Sequence, residues 1–159
     1  MDEAAKKTAL RMIPYGLFVM TVKDGEKMTG AAVNWLTQAS FAPPLVVLGA
    51  KADAPSTEMI AKSGKFLINV LEAGQVPVAS AFFKHVEPEG NKLGGYEFES
   101  SPNGLPVLKD GIAWFECQLR ETVALGDHTI FVGEVIEAGA SKPDAEPLTL
   151  AETGFKYGG

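Results

Sequence analysis

The apolar stretches of this sequence are short, rich in β-branched and aromatic residues, and closed by turn residues, which restricts the chain to folds built from many brief strands. Leu17–Val22 is apolar on both faces and suits a strand buried on two sides. Asp24-Gly25 is a hairpin signal, and Met28 to Leu36 reads as the returning second strand. Pro43-Pro44 breaks the chain before a third buried strand, Leu45–Ala50, and Phe66–Leu71 reads as a fourth. Ile112–Ala124 and Thr129–Ala138, joined at Leu125-Gly126-Asp127, complete the set of six. In the first of these two, Ala113, Phe115, Cys117, Leu119 and Val123 form an apolar face, with Glu116, Gln118, Arg120 and Thr122 opposite.

Short helices fill the connections. Glu3 to Ile13 has an amphipathic pattern that Pro14 terminates, because a residue before proline is pushed out of the helical region. Pro55 to Lys62 reads as a helix capped by Ser56 or Thr57, with Glu58 in its first turn and Gly64 just past its end. Pro77 to Phe83 reads as a third, and the Gly- and Pro-rich residues 85–106 as a long irregular loop. No repeat or linker divides the 159 residues, so a single domain, 1–159, is expected. Six strands without alternating βαβ units predict an all-β barrel with short capping helices.

Charge narrows the partners. The net charge is −6, yet residues 1–92 hold ten Lys/Arg against nine Asp/Glu, while 93–159 hold four against eleven. With only Arg11 and Arg120 as arginines, an acidic chain repels a phosphate backbone, and no nucleic acid is expected as a partner. A small anion bound against the N-terminal half is compatible with the distribution. No run nears the ~18 apolar residues of a membrane span. Asp2 and Glu3 do not suit a signal peptide, and a cytoplasmic setting is the expectation. The lone Cys117 cannot form an internal disulfide, and with His85 and His128 the only histidines, no metal site is expected.

Three segments carry candidate chemistry. Asn34-Trp35-Leu36-Thr37-Gln38 leaves the second strand where free backbone groups could meet a planar heteroaromatic ligand, although Trp35 filling the core with Asn34 at a bend is the commoner arrangement. Lys51 to Thr57 places a cation and two hydroxyls, Ser56 and Thr57, at a helix start, where unpaired amides and the positive dipole end favour an anion. Ordinary capping with Lys51 in solvent is the competing reading, and Lys84 could add a second cation. Gly126-Asp127-His128 sets a carboxylate beside an imidazole, which could orient it as a proton donor, or could simply make a turn. Neither G-x-S-x-G, a P-loop, G-x-G-x-x-G nor H-E-x-x-H is present.

The stretches "GLFVMTV", "NWLTQASFAPPLVVLGAK", "STEMIAKSGKFLINVL", "ASAFFK", "GLPVL" and "FECQL" leading to "GDHTIFVGEV" resemble, in order and spacing, the flavin reductase-like, FMN-binding split-barrel family. The resemblance implies a six-stranded Greek-key split β-barrel, a homodimer, and FMN (less often FAD) with NAD(P)H as electron donor. Carried over by position, it places Asn34, Trp35, Leu36, Thr37 and Gln38 along the isoalloxazine edge. Ala50, Lys51, Ser56, Thr57 and Lys84 fall along the phosphate, and His128 near the flavin face or the nicotinamide. Many members carry Asp before the double proline and a Ser-rich exit strand, whereas this chain has Ala42 and Asn34-Trp35. Tyr157, in the terminal "ETGFKYGG", is read as closing the barrel or the dimer. The implied activity is an NAD(P)H-dependent flavin reductase, with a monooxygenase or redox protein as onward partner. The alternatives are a non-catalytic FMN electron carrier and a dimer binding another planar ligand such as a tetrapyrrole.

Overall fold

Seven antiparallel strands, rather than six, make the principal sheet, and the extra one arises at Asn34-Trp35. The computed structural model describes all 159 residues. In chain order the elements are α1 (Glu3–Arg11), β1 (Phe18–Asp24), β2 (Lys27–Val33), β3 (Leu36–Ser40), β4 (Leu45–Lys51), α2 (Pro55–Ser63), β5 (Lys65–Val70) and α3 (Val76–Ser80). There follow β6 (Pro88–Glu89), β7 (Lys92–Leu93), β8 (Tyr96–Ser100), β9 (Pro106–Leu108), β10 (Ala113–Val123), β11 (His128–Ala140) and α4 (Leu150–Thr153).

The sheet order is β2-β1-β5-β10-β11-β4-β3. β2 and β3 are consecutive in sequence yet form opposite edges. The step from Val33 to Leu36 covers at most about 10 Å of extended chain, so the sheet must curl until its edges nearly meet there. No ladder joins β2 to β3, and the sheet stays open along that seam. The expected strand Met28–Leu36 is therefore two half-strands. Val33 closes the ladder with β1 opposite Phe18, and Leu36 opens a new one opposite Leu48 of β4.

The curled sheet encloses Met20, Val22, Val33, Val46, Leu48, Phe66, Ile68, Cys117 and Phe131, and Ile60 of α2 plugs the same cluster. Alternate residues of β1, such as Val19, face a second cluster with Phe82, Leu93, Leu108 and Leu148, so this strand is buried on both faces as its composition predicts. Cys117 is fully buried, and burial, with Glu116 adding to it, pushes the thiol up to about 12. It is a small hydrophobe here, not a nucleophile.

Three local expectations differ. Residues 85–106 are not one irregular loop: they contain β6 to β8 of a small four-stranded antiparallel sheet completed by β9. Its strands are two to five residues long, too brief for an alternating pattern, and its turns use Gly90, Gly94 and Gly95 at positive φ. Glu116, placed by alternation on the polar face, has no exposed surface and accepts hydrogen bonds from Ser101 and Asn103. A bulge between Glu116 and Cys117 interrupts the alternation. Helix α1 stops at Arg11 and buries none of its side chains.

Candidate functional site

A cleft of about 620 Å³ opens where β2, the end of β4, the start of α2, the Phe82–His85 segment, His128 and the C-terminal residues meet. This is within the ~300–1,000 Å³ range of small-molecule sites. Leu17, Met20, Ala31, Val33, Phe82 and Leu150 give it an apolar wall. Its charged lining comprises Lys51, Lys84 and Lys156 against Asp53, a cationic surface on an acidic chain.

Of the residues singled out in the sequence, Asn34, Ala50, Lys51, Ser56, Thr57, Lys84 and His128 line this cleft together. Antiparallel pairing explains one juxtaposition, since His128 at the start of β11 lies opposite Lys51 at the end of β4. Lys51 approaches Asp53 at 3.7 Å, but both side chains are largely exposed, and such pairs contribute little. The expected side-chain cap of α2 is absent. Ala54 is its N-cap, and the Thr57 hydroxyl instead donates to the Lys51 carbonyl at 2.7 Å. Pro55 has no N–H, and the Ser56 amide has no backbone acceptor. Lys51, the Ser56 amide and the Ser56 hydroxyl thus form a donor set suited to an anion at a helix N-terminus.

The Asn34–Gln38 segment does not act as one unit. Leu36, Thr37 and Gln38 belong to β3, on the opposite edge of the sheet from β2, and line a separate apolar groove of about 430 Å³ with Phe18, Pro44, Phe115 and Val135. Trp35 lies behind the cleft wall, its ring centroid 4.5 Å from that of His128 and 5.2 Å from that of Tyr157. Its indole Nε1 is buried and has no acceptor.

His128 is held at both nitrogens. Nδ1 lies 2.8 Å from Asp127 Oδ1 and Nε2 lies 2.6 Å from the Tyr157 hydroxyl. The hydrogen bond from His128, reinforced by its charge, holds the Asp127 carboxyl below the usual carboxylate range, so it is an acceptor at neutral pH. Burial, then the charges of Asp127 and Asp53, raise the Tyr157 phenol, which keeps its proton. Neutral His128 therefore carries its hydrogen on Nδ1 and accepts the phenol O–H at Nε2.

Sequence reasoning missed the C-terminal wall. After α4 the chain turns at Gly154 (φ 75°), Phe155 packs edge-on to Phe83 at 5.4 Å, and Phe155, Lys156 and Tyr157 all line the cleft. Asn34 Nδ2 donates to the Tyr157 carbonyl at 3.4 Å and Arg11 Nε to the Gly158 carbonyl at 2.9 Å. His85, paired with Glu87 at 3.0 Å, was also missed as a lining residue. The alternation of aromatics after a glycine in "GFKYGG" was the one available signal, but nothing local points it at His128, 29 residues earlier.

Comparison with known proteins identifies the family of the chain. The family model of the flavin reductase-like domain matches residues 10–159. A flavin reductase of Pseudomonas putida is 33% identical over 143 residues, covering 89% of this chain and 82% of that protein. Diflavin flavoprotein A 1 of Synechocystis is 29% identical over 142 residues; 89% of this chain is covered, but only 24% of that protein's length. Among solved structures, the NADH:FAD oxidoreductase SgcE6 of Streptomyces globisporus, in complex with NAD and FAD fragments, superposes with a TM-score of 0.75 at 32% identity, over 85% of this chain and 79% of that one. The chain described here belongs to the family of flavin reductase-like domains.

Proposed function

We propose that this protein is a flavin reductase that binds FMN in the cleft and oxidises NADH or NADPH. The observation that carries this reading is the convergence of Lys51, Ser56 and His128 on one wall of a 620 Å³ cleft. The flavin, when bound, supplies the redox chemistry by taking a hydride from the nicotinamide. The chain's residues bind, orient and protonate. Lys51 and the Ser56 amide and hydroxyl hold the phosphate, with Lys84 as a further cation, while Thr57 fixes the loop through the Lys51 carbonyl. The apolar wall excludes water from the reacting faces, and His128 sits beside them as the titratable group.

In this reading the curled sheet is the split barrel of the family, and residues 1–159 are one flavin-binding domain. A homodimer, pairing across the β3 edge and its apolar groove, would bring Leu36, Thr37 and Gln38 toward a neighbouring flavin. The reduced flavin serves a monooxygenase or redox protein, in a cytoplasm that keeps Cys117 reduced. That the P. putida relative is called a flavin reductase, and that SgcE6 is described as an NADH:FAD oxidoreductase, supports the activity over that of a passive carrier. The test is anaerobic: NADH or NADPH is added to the protein with FMN, and the visible flavin band is followed. Bleaching at a rate proportional to enzyme is expected. A tightly bound flavin that neither nucleotide bleaches would overturn the reductase reading in favour of an electron carrier.

A further inference from the structure

His128 has no free nitrogen with which to meet a ligand. Nδ1 is taken by Asp127 at 2.8 Å and Nε2 by the Tyr157 hydroxyl at 2.6 Å. Trp35 packs against both rings and fixes their relation. The side chain of Asp127 is almost wholly in solvent, whereas that of His128 is mostly covered. Of the three linked groups Tyr157 and His128 line the cleft, and the Tyr157 oxygen stands at the cleft end of the chain of hydrogen bonds. The other charged groups beside this assembly are Lys51, opposite His128 on β4, Asp53, which pairs with Lys51, and Lys156, which precedes Tyr157 and lines the same cleft.

We propose that Tyr157 delivers the proton of His128 to the cleft, so that Asp127, His128 and Tyr157 form one relay. This rests on the reductase reading above, whose overall reaction consumes one proton for each hydride transferred. With His128 protonated, Nδ1–H donates to Asp127, Nε2–H donates to the Tyr157 oxygen, and the phenol hydrogen is free to point into the cleft. Transfer breaks the phenol O–H and forms a bond to the ligand atom that gains negative charge. The Nε2–H bond breaks and a new phenol O–H forms in its place. Asp127 stays a carboxylate, and His128 is left neutral with hydrogen on Nδ1 and the phenol donating to Nε2. After product leaves, a proton from solvent water reaches the phenol oxygen, which passes its own hydrogen back to Nε2. The hydroxyl thus presents an acceptor or a donor to the cleft according to the charge on His128.

Tyr157→Phe tests this, because it keeps the ring that packs on Trp35 and removes only the hydroxyl. In the ligand-free protein, the imidazole ¹⁵N resonance of Nε2 should move downfield in the variant while that of Nδ1 stays in place. NAD(P)H oxidation should fall by about 100-fold, matching His128→Ala, and the double variant should be no slower than either. FMN affinity should stay within about two-fold. Unchanged or faster turnover in Tyr157→Phe would overturn the relay and make the phenol a gate over His128; so would additive losses in the double variant. If His128→Ala itself leaves turnover unchanged, the failure lies with the role given to His128 in the reductase reading. A slow His128→Ala beside an unaffected Tyr157→Phe refutes the relay alone.

Discussion

His128 and Lys51 face each other across one antiparallel pair, so the titratable ring and the cation that define the cleft are set by the β4–β11 register. Replacing His128 by Ala removes the imidazole without touching Lys51 or Ser56. NAD(P)H oxidation should drop by about 100-fold in a steady-state assay, with FMN affinity within about three-fold. Turnover equal to the wild type would take His128 out of the mechanism. At this scale, what the sequence revealed depended on chain distance. Lys51, Ser56 and Thr57 lie within seven residues and follow from one strand-to-helix turn. Their division of labour does not, because the Thr57 hydroxyl bonding back to Lys51 is a choice only the folded loop makes. Tyr157 was legible only as an aromatic near the C-terminus, since its partner lies on another strand end.

The strands show why the longest one needs a glycine. A side chain at Gly133 of β11 would place its Cβ 2.7 Å from the Phe66 ring and 2.8 Å from Cys117 Cβ, both fully buried. Neither neighbour is a flexible chain end, so Gly133→Ala should destabilise the fold by about 1–3 kcal/mol, read as a lowered Tm in thermal unfolding. An unchanged Tm would mean that β5 and β10 can give way at this point. Elements with a strong local pattern were legible: β1, β4, β5, β10, β11 and α2 fall close to where periodicity and turn residues put them. The junction of β2 and β3 was legible as a bend at Asn34 but not as the start of a new strand, because Leu36 continues the β-forming composition of the run before it. Only the competing ladders, to β1 on one side and β4 on the other, split it.

For the whole molecule, one topological fact organises the rest: two strands adjacent in sequence are the two edges of a seven-stranded sheet. The seam this leaves is bordered by Asn34, and the cleft lies beside it, walled by α2, the segment after α3 and the C-terminal residues. The negative charge is gathered in the later half of the sequence, yet the cleft lining carries three lysines against a single aspartate. A locally cationic pocket on an acidic protein suits a small phosphorylated ligand better than a polyanion. The most direct measurement is a pair of fluorescence titrations, with FMN and with riboflavin, on the wild type and on Lys51→Ala/Ser56→Ala. The wild type should quench FMN saturably, and the double variant should bind FMN about 10-fold or more weakly while riboflavin affinity changes less than about two-fold. Equal weakening of both ligands, or no flavin binding by the wild type, would contradict the assignment of this cleft.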